Sequence, residues 1–350
     1  MKTTYFLFLA MAFATLTACS SDESGPQKQD NMRINLGISV NSASATRSMT
    51  DATAMQDDDF VDGAPVDIFI YEKPTNSESV TTTYGTNGLL ACTVSSTSAG
   101  ISTLTLPAMY SSTALSWPTN HNSKVNITGY YPHGVITDAS TATEKQNFMV
   151  QADQSSIDNY KASDLMYGQA NSGNDITRTN DAQVVAFTHK LSKINIELTA
   201  GTGLTAANLE GAQVSIVSVQ RATNIVPNTG ALATATTSTI SNVIALMVSD
   251  ANTNSTIDVG ELKGSAIIVP QTITELDGTK EFIRVTLNNG GVLSYKPADP
   301  MGGSTNQMVF NGSKKYTYQI TVNLTGLTVQ ASITNWGTET YTGNSGNAVQ

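Results

Sequence analysis

Six oxygen-bearing side chains share one twelve-residue window. Asp250, Asn252, Asn254, Thr256, Asp258 and Glu261 take its positions 1, 3, 5, 7, 9 and 12. Hard Ca²⁺ takes six or more oxygens, and this is the ligand spacing of a helix-flanked calcium loop. Ile257 even supplies an apolar residue at position 8. Against that reading, Ser255 stands where a glycine makes the sharp turn, and no helical pattern flanks the window. A solvated polar loop between strands is the competing reading, and no metal is assigned. Other reactive groups are sparse, with three histidines and two cysteines. His121, His133 and His189 lie far apart, without metal-ligand neighbours at a recognisable spacing, so each reads as structural. Gly201-Thr202-Gly203 loosely matches a dinucleotide-binding turn, but β-rich sequence follows where a helix is needed. There is no Gly-x-Ser-x-Gly elbow and no phosphate loop. The sequence therefore assigns no catalytic residue and no cofactor site, leaves calcium at the Asp250 to Glu261 window open, and reads as a non-enzyme.

Cys19 carries a different chemistry. The chain opens Met1-Lys2, runs through apolar residues from Tyr5 to Leu16, and reaches Leu16-Thr17-Ala18-Cys19. A basic start, a short apolar core and small residues before a cut describe a secretory signal. The apolar run is too short to anchor in a bilayer about 30 Å thick. A small residue just before Cys, with Leu three positions upstream, resembles the lipobox of bacterial lipoproteins. That resemblance implies removal of residues 1–18 and acylation of Cys19. The polar stretch 19–30 contains Gly25-Pro26 and reads as a flexible tether. With Cys19 acylated, Cys92 has no partner for an internal disulfide and reads as a small buried residue.

The elements behind these residues are strands. Only 13% of the 350 residues are charged, and 28 acids against 18 bases give a net charge of −10. So few Lys and Arg exclude a basic nucleic-acid surface. Ile34, Leu36, Ile38 and Val40 alternate with polar or small residues, the period of a half-buried strand. Residues 41–59 lack apolar periodicity and read as a long exposed loop holding Arg47. Val66–Tyr71 is the next strand, and short apolar runs recur to Trp336 between Asn, Gly, Ser, Thr and Pro clusters. Ala182 to Ala200 reads as two strands joined near His189, and Ile157 to Met166 as one or two helical turns. Many short strands with frequent turns predict an all-β chain of sandwiches or barrels. At about 150 residues per domain there is room for two, placed at 31–180 and 181–337 around the polar stretch Asn171–Asp181, with a polar tail at 338–350.

Several stretches, in order, resemble the fimbrillin family of type V pilus subunits. They are Trp117-Pro118 followed by Val125 to Pro132; Asp164-Leu165-Met166-Tyr167-Gly168; Phe187-Thr188-His189-Lys190-Leu191-Ser192-Lys193; Val269-Pro270-Gln271; and Phe310 to Tyr318 with Ile333-Thr334-Asn335-Trp336. The resemblance implies two transthyretin-like β-sandwich domains in tandem and export to the outer membrane as a lipoprotein anchored through Cys19. It also implies that a trypsin-like protease cuts after an Arg in the loop behind the first strand. Loss of that strand opens a groove that another subunit fills. The matching cut lies between Arg47 and Ser48, and the displaced strand carries Ile34, Leu36, Ile38 and Val40.

The partners so implied are other pilus subunits, the outer membrane and a host protein or glycan. Gly337–Gln350 is polar and makes a poor donor strand, so either the subunit sits at a pilus tip or in an accessory position, or the donor lies within Gly326–Trp336. One rival reading is a non-polymerising surface lipoprotein that binds glycan, which exposed aromatics would favour. A second, a hydrolase on a β scaffold, needs a clustered acid or His site that the sequence does not show.

Overall fold

The computed structural model describes residues 32–336, apart from 41–59, 61, 74–80, 83, 86–87, 99, 111–114, 137–144, 236, 250–260, 275, 277 and 298–306, together with residues 347–348. The chain is all-β with short helical turns. The longest helix, Ile157–Ala162, starts at Ser156, whose hydroxyl accepts from the Asn159 N–H. That contact satisfies one of the donors a helix start leaves open.

Eight strands form the first sheet, in the order Thr81–Thr82, Pro65–Lys73, Leu89–Ser98, Ile101–Thr105, Leu36–Val40, Gln183–His189, Met166–Gln169 and Lys124–Tyr131. Lys124–Tyr131 also pairs antiparallel with Pro65–Lys73. The hydrogen-bonded order thus returns on itself, leaving only Thr81–Thr82 outside the ring. Closure removes the open edges that make sheets prone to unwanted pairing. Alternate residues fill its interior, among them Ile38, Val66, Ile68, Leu90, Cys92, Val125, Ile127, Val185 and Phe187.

The remaining strands form two larger sheets and two small ones. Leu246–Ser249, Glu261–Ile268, Ser192–Ala200, Lys314–Asn323, Gly326–Asn335 and Asn347–Ala348 make a six-stranded sheet. A four-stranded sheet holds Ile240–Ile244, Gln213–Gln220, Ile283–Thr286 and Val292–Tyr295. The two share a core of Ile194, Ile196, Val214, Ile216, Val285, Tyr318 and Ile320. Gly326–Asn335 pairs along its whole length with Lys314–Asn323, so it is a sheet member rather than a free extension.

The two halves of the chain are stitched together. Gln146–Met149 pairs with Ala222–Val226, which pairs in turn with Ala231–Thr234. Phe69, Tyr130, Tyr160, Leu165 and Tyr167 join the core of the second half. The chain leaves the ring after Gln183–His189 and enters the six-stranded sheet at Ser192, so the crossing point is Lys190–Leu191.

Candidate functional site

Leu36–Val40 is an interior strand, held on both sides. It runs parallel to Gln183–His189, with Leu36 opposite Gln183, Ile38 opposite Val185 and Val40 opposite Phe187. On its other side it runs antiparallel to Ile101–Thr105, with Gly37 opposite Thr103 and Ile38 opposite Ser102. Upstream residues continue the suture. The Ile34 N–H donates to the Leu115 carbonyl at 2.7 Å, the Trp117 N–H to Met32 at 2.9 Å and the Gln183 N–H to Asn35 at 2.8 Å. Ile34, Ile38 and Val40 are buried in the ring, and Leu36 packs against the same core half-exposed.

Burying an aliphatic side chain is worth about 1.5–3 kcal/mol. Three of them approach the whole stability of an ordinary domain, about 5–15 kcal/mol. Without this strand, Ile101–Thr105 and Gln183–His189 would face each other across a gap of about two strand spacings, or ~9.5 Å. The groups lining that gap would be unpaired backbone donors and acceptors and apolar side chains.

Phe187 forms the floor beside the strand. A Cβ on Gly129 would sit 2.4 Å from its Cζ, and one on Gly168 would sit 2.8 Å from its Cδ2. Only glycine lets the two neighbouring strands approach this ring so closely. Phe60 meets the Phe187 ring edge-on at 5.0 Å. Cys92 is 2% exposed in the same core. Burial, and then the nearby Asp67 carboxylate, push its thiol up to about 12, so it remains a protonated, inert packing group.

The crossing point joins the ring to the second half through polar contacts. His189 Nδ1 lies 2.8 Å from the buried Asp164 carboxylate. Its ring stacks on Trp336 with centroids 3.9 Å apart, and Lys193 reaches over the same indole at 5.8 Å. The Ser313 hydroxyl donates to the His189 carbonyl. The Ser313 N–H donates to Leu191 at 2.8 Å, and the Trp336 N–H to Ser313 at 2.8 Å. Residues far apart in sequence thus clamp the end of the strand that flanks the first strand.

Ile34, Leu36, Ile38 and Val40 come together on one face of the ring. Cys19, Arg47, Ser48 and all of the Asp250 to Glu261 window except Glu261 lie outside the described residues. Glu261 begins the Glu261–Ile268 strand. Among the described residues no group of three or more His, Cys, Asp and Glu could hold a metal. Trp117 and Trp336 are both buried, so neither forms an exposed aromatic platform.

Sequence reasoning missed Asp67, which sits in the apolar run Val66–Tyr71 and is fully buried. It accepts from the Gly134 N–H at 2.7 Å and pairs with His133. Burial raises its pKa, opposed by the Gly134 bond and then by His133. An acid within an apolar strand, with a His in the turn after Tyr130-Tyr131, was the available signal.

Known proteins share this architecture. A crystal structure of a proposed cell adhesion protein from Bacteroides uniformis superposes with a TM-score of 0.58 at 22% identity, covering 87% of this chain and 98% of that one. A proposed cell adhesion protein from Bacteroides ovatus gives 0.58 at 15% identity, covering 89% and 99%. In sequence, a proposed fimbrium subunit of Bacteroides uniformis, Fim1C, is 28% identical over 228 residues, which span 65% of this chain and 66% of that protein. The family profile described as fimbrillin-like matches residues 46–336. That match takes in the flanking strands, the Phe187 seat and the His189–Trp336 clamp, and by it the chain belongs to the fimbrillin-like family.

Proposed function

We propose that the chain is a fimbrial subunit of the cell surface, exported as a lipoprotein anchored at Cys19 and assembled by strand exchange. The fimbrillin-like family is one of fimbrial structural and adhesion subunits, not of enzymes. One observation carries the assembly mechanism. The first strand is a stave of a closed ring, paired on both sides, yet it joins the next ring strand, Pro65–Lys73, through residues 41–64, which include Arg47. A cut between Arg47 and Ser48 would part the stave from every other described strand of the ring. The vacated slot then demands a replacement that is extended, apolar at alternate positions and parallel to Gln183–His189. A strand from another subunit restores the lost pairs and the buried side chains, so exchange needs no external energy.

On this reading the chain forms two β-sandwich domains, with the boundary moved from the expected Asn171–Asp181 to Lys190–Leu191, because Gln183–His189 pairs within the first sheet. Its partners are other fimbrial subunits, the outer membrane through the Cys19 lipid, and a host ligand. The test is mild trypsin digestion of the mature protein with intact-mass and denaturing-gel readouts. The expected result is a cut after Arg47, loss of the first strand and heat-resistant oligomers. A cut protein that keeps the strand and stays monomeric under all conditions contradicts it.

A further inference from the structure

A second cavity lies away from the strand slot, where the outer face of the ring meets the tip of the Ala222–Thr234 hairpin. Its volume is about 260 Å³, and it is lined by Tyr71, Lys73, Asn126, Thr128, Gln169 and Asn228, with Gly173 at its wall. Asn126, Thr128 and Gln169 come from adjacent ring strands, with Thr128 directly opposite both Phe69 and Gln169. The hairpin tip is fixed against the ring. The Tyr167 hydroxyl donates to the Asn228 carbonyl at 2.9 Å. Gly230 has a φ of +62°, and a Cβ there would sit 2.2 Å from the Tyr167 ring.

The lining has an unusual chemistry. Thr128 is 2% exposed, and its hydroxyl has no hydrogen-bond partner in the protein. Two residues along the same strand, the Tyr130 hydroxyl is buried and equally without one. Natural interiors rarely leave such groups unmet, and each one calls for an explanation. The charges are already matched, because Lys73 Nζ lies 3.0 Å from the Asp175 carboxylate. The Asn126 amide donates to the Gly173 carbonyl at 2.9 Å, and the Gln169 amide to the Tyr167 hydroxyl at 2.7 Å. Both amides are thereby oriented, with their carbonyl oxygens still able to accept. Asn171 and Ser172, in the wall before Gly173, hold φ of 48° and 53°. Left-handed backbone at non-glycine residues is costly and clusters at ligand sites.

We propose that this cavity binds a single neutral sugar ring. A charged ligand finds no free counter-charge there. A purely apolar one would leave the Thr128 hydroxyl and the amides unmet. A ring of hydroxyls can donate to the amide oxygens and pair with Thr128. The volume falls just below that of drug-sized sites, which start near ~300 Å³, and fits one ring rather than a chain. The site differs from an exposed aromatic platform, since its specificity would come from oriented amides. It gives the adhesion reading a ligand class but does not depend on strand exchange.

The test uses the uncut protein and saturation-transfer NMR with D-galactose, N-acetylgalactosamine, D-glucose, N-acetylglucosamine, D-mannose and L-fucose. At least one sugar should bind with a Kd on the order of millimolar, the scale for a dozen-atom ligand. Thr128→Val should weaken that sugar about tenfold and leave the protein folded, because it replaces an unmet hydroxyl with a methyl of the same shape. Thr199→Val, in the separate polar groove on the six-stranded sheet, should change nothing. The methyl glycoside of the sugar that binds should bind as well, as the terminal residue of a glycan would. No saturation transfer from any of the six sugars overturns the proposal. So does a Kd that Thr128→Val leaves unchanged, or binding that disappears with Thr199→Val. Because the protein is uncut, failure here leaves the assembly reading standing.

Discussion

His189 and Trp336 lie face to face, their ring planes 8° from parallel and their centroids 3.9 Å apart. One residue ends the strand beside the first strand, and the other closes the six-stranded sheet. The contact therefore braces one wall of the slot against the second half of the chain. It also accounts for the spread of the family-like stretches, since Asp164, His189, Ser313 and Trp336 converge on one junction.

Truncating Trp336 to Ala should cost about 3–5 kcal/mol, the range for a buried Trp. Urea unfolding monitored by circular dichroism reads it. In a double-mutant cycle with His189→Ala, the two residues should couple by about 0.5–1.5 kcal/mol. Full additivity would mean that the stacked rings share no interaction energy.

Gly168→Ala tests the Phe187 seat. The added Cβ would lie 2.8 Å from both Val185 Cγ1 and Phe187 Cδ2, and such overpacking costs about 1–3 kcal/mol. Phe187→Leu withdraws the ring, so in that background the same Gly168→Ala change should cost clearly less. An equal cost in both backgrounds would place the strain elsewhere.

Asp67 makes the stability of the fold depend on pH. Burial raises its folded pKa above the ordinary value of 3.8. The folded state then holds this proton more tightly than the unfolded chain does. The group's contribution to stability is full below 3.8 and is lost as pH rises through the folded value. Asp67→Asn removes that dependence, so the variant should gain on the natural protein as pH rises from about 4 to neutrality. Urea midpoints across that range read the difference, and parallel pH profiles would contradict it.

Much of this architecture is legible in the sequence, and the gaps have physical causes. The alternation of Ile34 to Val40 declares a strand, and a change of strand is legible at Thr188-His189-Lys190, but the boundary expected at Asn171–Asp181 falls ahead of Gln183–His189, which pairs within the ring. Ring closure is not legible, because nothing local in Pro65–Lys73 specifies Lys124–Tyr131 as its second neighbour. Ala222–Val226 and Ala231–Thr234 escape a periodicity search because polar residues fill buried positions. Thr223 donates to the Ala233 carbonyl at 3.0 Å, and Asn224 donates to Thr234 at 3.0 Å. Cross-strand bonds of this kind make buried polar residues tolerable, and only the fold reveals the partners. Thr128 lies inside a family-like stretch, but its burial without a partner has no sequence signature.

Cys92 should report on the slot. With its thiol pushed up to about 12 and only 2% exposed, it should resist a thiol reagent at neutral pH in protein whose Cys19 is acylated or replaced. Removing the first strand uncovers the core it shares with Ile38, so labelling should accelerate after trypsin. Equal labelling rates before and after the cut would mean that the ring does not open.

Replacing Cys19 should release the protein from the membrane. In cells given labelled palmitate, Cys19→Ala should lose the label and leave the membrane fraction. Retained label would assign the lipid to another residue.

The most direct test of strand exchange is uptake of the strand itself. A fluorescent peptide of residues 32–41 is added in excess to protein cut after Arg47 and to uncut protein, and bound label is read after gel filtration. The account predicts that cut protein takes up the peptide and uncut protein does not, and that Ile38→Asp in the peptide, which sends a charge into the ring interior, abolishes uptake. Uptake by both proteins, or by neither while the cut protein stays folded, would contradict it.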